Sequence, residues 1–158
     1  MPSQHLRATY IGQSEKNRFA YAKQDGVFLK LEVKAKQAPT WGHIRGLPFG
    51  SDAYLVFVDY AKKKEIERPD FFILDATDWL NLAEKYIRGY CEKHPDRTAH
   101  LDDDNCPVHP EEKDKHGHPF RGCTIAIKDI EQFRENWSKI TVACIKTTDK
   151  VAAASLCQ

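Results

Sequence analysis

The chain has 158 residues, 41% hydrophobic and 30% charged, with a formal net charge of +1. That length supports one domain with its own core, and the ordinary globular composition excludes global disorder. The near-neutral balance excludes a chain-wide basic footprint, so nucleic-acid binding would have to rest on a local cluster.

The five cysteines are an odd number at irregular spacings. The opening stretch MPSQHLRATYIG has no apolar leader, and no run reaches membrane-spanning length. The expectation is a cytoplasmic protein with reduced thiols and no membrane partner.

In chain order, residues 1–16 are irregular, with a short candidate strand at RATYIG. Asp25-Gly26 between two alternating runs predicts a two-residue hairpin, with strands at about 17–23 and 27–36. On the second strand Leu29, Leu31, Val33 and Ala35 share one face; Lys30, Glu32, Lys34 and Lys36 share the other, read as a polar face. QAPTWGHIRGLPFG reads as a loop. AYLVFVDY reads as a buried central strand, AKKKEIERPD as a charged turn and FFILDA as another buried strand.

Thr77 or Asp78 is positioned to N-cap the helix DWLNLAEKYIRGYCEKH, whose Leu80, Ala83, Ile87 and Tyr90 fall at helical spacing. Residues 91–120 read as a polar insertion loop rich in Pro, His and Asp. CTIAI is a short strand. KDIEQFRENWSKI predicts a helix with Ile130, Phe133, Trp137 and Ile140 on one stripe, followed by a tail over 141–158. The order predicts a single α/β domain, 1–158, with a mixed central sheet flanked by helices.

Two residues apart on a strand, Glu32 and Lys34 point the same way, about 7 Å apart. A carboxylate can hold Mg²⁺ through oxygen. A neighbouring ammonium can orient water or stabilise charge on a phosphate oxygen. The same pattern also fits a charged strand face whose other members are Lys30 and Lys36.

The ordered series LEVKAKQAPTW, AYLVFVDY, ERPDFFILDATDW and KHGHPFRGCTIAIKDIEQFRENWSKI resembles the PD-(D/E)XK, restriction-endonuclease-like nuclease superfamily over about residues 17–140. The resemblance implies a restriction-endonuclease-like fold and Mg²⁺-dependent hydrolysis of DNA phosphodiester bonds. It makes Glu32 and Lys34 the catalytic pair, Glu32 also a metal ligand. The superfamily's site needs an Asp on the preceding strand. With Asp25-Gly26 as the turn, paired residue numbers sum to 51, so Lys34 faces Asn17 and Lys36 faces Glu15. Asn offers only a neutral carbonyl oxygen. Glu15, one pleat away, is the substitute ligand, which makes the metal set Glu32, Glu15 and Asn17. The chain also lacks the helix that usually precedes the hairpin, so the fold is expected to be shortened at its N-terminus, with room for a homodimer. The alternative is a catalytically degenerate nuclease-fold module that binds DNA or a protein partner without cleavage.

Lys30, Lys36, Trp41, His43 and Arg45, next to Lys34, form the best local basic-aromatic patch for phosphates, and Lys62, Lys63 and Lys64 a second. Cys106, His109, His116, His118 and Cys123 lie close in sequence with zinc-like residue types, so a structural Zn²⁺ is a further candidate. Asp102, Asp103 and Asp104 read as a solvated acidic loop. Cys91, Cys144 and Cys157 read as free thiols.

Overall fold

The computed structural model describes residues 9–13, 20–24, 27–48 and 50–140. Its main sheet contains β1 (Thr9–Gln13), β2 (Ala20–Gln24), β3 (Val27–Lys36), β5 (Tyr54–Asp59) and β6 (Asp70–Leu74), in the order β1-β2-β3-β5-β6. Only the β3–β5 pair is parallel. The hairpin register is the expected one: Gln24 pairs with Val27 and Ala20 with Leu31. Asp25 and Gly26 lie outside the described residues, but the strands on either side have the register of a two-residue connection.

β5 is an apolar run with polar residues only at its ends, and it sits between β3 and β6. Strands buried on both faces carry such runs because neither side meets water. Leu55 and Phe57 join Phe72 and Leu74 of β6 in the first core cluster. Ile73 faces the other way, with Leu29 and Ile140.

Strand β4 (Thr40–Ile44) forms where a loop is expected, and pairs with β10 (Cys123–Ala126) as a separate ribbon. Trp41 and Ile44 are its buried members. Their spacing breaks the two-residue alternation because His43 takes a φ of +55°, which hides the strand from a periodicity reading. Trp41 meets Phe57 edge-on at 5.1 Å and Phe72 at 5.9 Å, so the ribbon covers the first core.

Helix α1 (Ala76–Lys93) closes the same core with Trp79, Leu82 and Ala83. Its N-cap is Asp75, rather than Thr77 or Asp78. The Asp75 carboxylate accepts from the Asp78 amide (2.9 Å), and the Asp78 carboxylate accepts from the Asp75 amide (3.1 Å). This reciprocal capping box satisfies two amides that have no partner inside the helix. Because the helix starts earlier than expected, its inward stripe runs through Trp79 and Leu82, while Leu80 and Ile87 are only half-buried.

The expected insertion loop is folded. Strands β7 (His100–Leu101), β8 (Pro107–Lys113) and β9 (Pro119–Arg121) form a three-stranded antiparallel sheet. Prolines at strand ends and polar residues on a small, open sheet mask the strand signal.

The expected helix over 128–140 is also broken. Helix α2 covers only Ile127–Ile130, and a 3-10 turn follows at Glu131–Phe133. Arg134 then bridges to Phe72 and Glu135 takes a φ of +52°. Ile130 thereby lies in the first core cluster while Trp137 and Ile140 belong to the second, on the opposite side of the sheet. A continuous helix would have kept them on one side. Among the described residues, no helix is long and apolar enough to cross a membrane.

Candidate functional site

The face carrying Glu32, Lys34 and Lys36 is not a solvated strand face. Glu32 is 1% exposed, and Lys36 is buried as well. Val33, on the nominally apolar face, is 46% exposed instead. The cause is the register with β5. Glu32 pairs with Leu55, Lys34 with Phe57 and Lys36 with Asp59, so all three stand on the side roofed by β4.

Lys34 Nζ lies 2.9 Å from Glu32 Oε1. The carboxylate end is enclosed and the Lys34 side chain is about a third exposed. Lys34 lines an open groove of about 340 Å³ whose walls also include Lys36, Thr40, Trp41 and Gly42. The Trp41 indole N–H donates to the Lys34 carbonyl (2.9 Å), which pins the roof to the strand. Ionised groups out of water are costly unless paired; here the buried acid pairs with a partly exposed lysine that lines the groove.

Two residues beyond Lys34, Lys36 Nζ lies 2.7 Å from Asp59 Oδ1 and 4.2 Å from the Trp41 ring centroid. Asp59 also accepts from the Ala61 amide (2.8 Å). Asp59 was not singled out from the sequence. The signal that could have found it is the parallel register placing it beside Lys36.

The basic-aromatic patch is divided. Trp41 and Lys36 are inside, while His43 and Arg45 are exposed and His43 packs edge-on to Phe120 at 5.3 Å. Lys30 is partly exposed and pairs with Asp52 at 2.9 Å. In the second patch, Lys63 pairs with Asp70 at 3.2 Å. Glu15 and Asn17 lie outside the described residues. Among the described residues, no group of three or more His, Cys, Asp or Glu side chains is arranged to hold a metal ion. Glu32 suits one Mg²⁺ ligand position, but the rest of a donor set is not among the described residues, and Asp59 stands four residues further along the sheet, opposite Lys36.

The Cys/His series splits in two. Cys106, His109 and Cys123 are buried, while His116 and His118 are exposed at the turn joining β8 to β9. Burial pushes the Cys123 thiol up to about 12, so it stays a neutral thiol. Asp102 is a turn-former rather than a free acid: its carboxylate accepts from the Asp104 and Cys106 amides and pairs with Arg121. Asp103 and Asp104 are exposed, as expected. Cys91 is a half-buried free thiol; Cys144 and Cys157 lie outside the described residues.

The fold and the site together define a mixed α/β protein in which a buried Glu32 pairs with a partly exposed Lys34 that lines a surface groove. No family model, curated protein or solved structure matches this chain.

Proposed function

We propose that the Lys34 groove is a phosphodiester site and that the protein is a DNA endonuclease of the PD-(D/E)XK type. One observation carries this reading: an enclosed carboxylate, Glu32, is paired with a partly exposed lysine, Lys34, that lines an open groove. A salt bridge that served stability alone would gain little from such a placement, since exposure weakens the pair and burial taxes it. Lys34 would meet the phosphate or the attacking water, and Glu32 would hold the ammonium in position. Lys30, His43 and Arg45, all at least partly exposed, would contact the flanking backbone. Mg²⁺ would supply Lewis-acid stabilisation of the phosphate when bound. Glu32 is one ligand for it, and Glu15 and Asn17 remain the sequence-derived partners.

A second reading, a module that binds DNA or a protein without cutting, is favoured by Glu32 having, among the described residues, no group of His, Cys, Asp or Glu around it that could hold a metal ion.

The test is cleavage of plasmid and single-stranded DNA with Mg²⁺ or Mn²⁺, comparing wild type with Lys34→Ala and Glu15→Gln. Metal-dependent cutting abolished by Lys34→Ala is the result expected of the nuclease. Absence of cutting by folded protein, with DNA binding that weakens steeply between low and moderate salt, would replace it with the non-cutting module.

A further inference from the structure

We infer that the cleft between α1 and the α2 end of β10 is a nucleotide site, taking an amino-bearing nucleobase that carries a phosphate. The inference rests on this cleft alone and does not depend on the nuclease reading.

The cleft has a volume of about 380 Å³, within the ordinary range for small-molecule sites. Tyr86 and Tyr90 stand along one wall one turn apart on the helix, and His94, the residue that caps its C-terminus, follows them at the same spacing. The Tyr86 and Tyr90 rings are 29° from parallel with centroids 6.4 Å apart, and His94 lies 4.7 Å beyond Tyr90. Tyr90 is held in place: its hydroxyl donates to Glu112 (2.7 Å), and the buried His109 ring packs T-shaped against it with centroids 4.5 Å apart. A fixed ladder of rings suits the stacking of a planar base.

A second row, Lys85, Gly89 and Lys93, runs beside the rings at the same spacing. Both lysines are exposed, and neither forms an ion pair with a described residue. Two ammonium groups with no ion-pair partner among the described residues, beside aromatic rings, match a phosphate attached to a stacked base. Gly89 lies between them, and a Cβ placed there would meet nothing within 4 Å. The missing side chain keeps the cleft open in the middle of a helix, where glycine is otherwise unfavourable.

Asp129 stands on the opposite side, with Ile125 and Leu82 as apolar lining. One Asp129 oxygen accepts from the Ala126 amide at 2.8 Å, and the other accepts no hydrogen bond from a described residue. A carboxylate there repels phosphate and accepts from an exocyclic amine. It therefore orients a bound nucleotide, amine toward Asp129 and phosphate toward the lysines. Ile125 pairs with Trp41 across the β4–β10 ribbon. The two clefts thus border the same ribbon and share no lining residue.

The experiment is calorimetric titration of the full chain with adenosine monophosphate, thymidine monophosphate, adenosine, inorganic phosphate and a short oligo(dA). The chemistry predicts saturable binding of adenosine monophosphate, at least ~10-fold tighter than of adenosine or phosphate alone, the difference one charge-assisted hydrogen bond supplies. Thymidine monophosphate, which lacks the amine, binds more weakly. Gly89→Leu fills the cleft with a better helix former and abolishes binding; Lys85→Glu with Lys93→Glu does the same without touching the core. Binding of oligo(dA) but not the free nucleotide, with the same variant pattern, supports the site with its nucleotide supplied by a single strand. No binding of either, retention of binding in Gly89→Leu, or phosphate binding as tightly as the nucleotide overturns the inference.

Discussion

Lys36 and Asp59 form an ion pair of 2.7 Å whose side chains are each 4% exposed, at the directly paired ends of two parallel strands. The Coulomb attraction here offsets the loss of hydration, while removing one partner leaves an unpaired charge in the interior. Asp59→Ala or Lys36→Ala is expected to cost about 3–5 kcal/mol. The double change Lys36→Met with Asp59→Leu should recover most of it. Urea unfolding of the three variants measures this; equal destabilisation by the single and double variants would refute it.

Gly46 has a φ of +74°, and a Cβ there would fall 1.7 Å from the Trp79 indole. Trp79 is fully buried, and its indole N–H donates to the Asn105 carbonyl at 3.0 Å. The indole cannot retreat without giving up that bond or its core packing. Gly46→Ala is therefore expected to destabilise by about 2–4 kcal/mol, combining backbone strain with overpacking. A melting temperature unchanged from wild type would contradict this.

Glu32 and Lys34 call for separate tests of folding and chemistry. Lys34→Ala takes the ammonium from an enclosed carboxylate, so it should destabilise as well as inactivate. Glu32→Gln keeps the shape and removes the charge, and should lose far less stability. If Lys34 acts on substrate, both variants lose cleavage while Glu32→Gln stays folded by circular dichroism. Full cleavage by folded Glu32→Gln would remove Glu32 from the mechanism.

Stability should be flat near neutral pH and fall at both extremes. Burial pushes the Asp75 carboxyl up, but hydrogen bonds from Lys139 and the Asp78 amide outweigh it and hold Asp75 below its ordinary 3.8. Hydrogen bonding from Arg68, against a smaller effect of burial, holds Glu135 below 4.5. A depressed acid stabilises above its unfolded value, and that contribution is lost as pH falls through the folded value. Cys123 has the opposite sign: its unfolded thiol ionises near 9.0, while burial holds the folded one to about 12, so stability falls above pH 9. Urea midpoints should therefore drop below about pH 5 and again above pH 9. Cys123→Ser should flatten the alkaline limb, and an unchanged limb would rule out the thiol as its cause.

Asp75→Ala removes the carboxylate that caps α1 and that lies 2.8 Å from Lys139 Nζ. The expected cost is about 1 kcal/mol from the cap, read as a lower melting temperature. Asp75→Asn, which keeps the cap acceptor, should recover most of the loss; recovery absent in Asp75→Asn would make the Lys139 pair the dominant contribution.

The pairing of β2 with β3 was legible because it is local: an Asp-Gly turn between alternating runs permits few registers, and Gln24 against Val27 is the one found. The apolar runs that became β5 and β6, and the helical period of α1, were legible for the same reason. Glu32 and Lys34 could be singled out because two residues of one strand, two apart, share a side whatever surrounds them. Which side met water was decided elsewhere. β4 and Trp41 roof the charged face, and Val33 is left outside. The β4–β10 ribbon, the Lys36–Asp59 pair and the break that sends Ile130 and Ile140 to opposite sides of the sheet all join segments far apart in the chain. Local periodicity carries no information about such partners. Burial of a charge, the opening of the groove at Lys34 and the aromatic cleft along α1 exist only once those segments have packed, because each is a property of the space between elements.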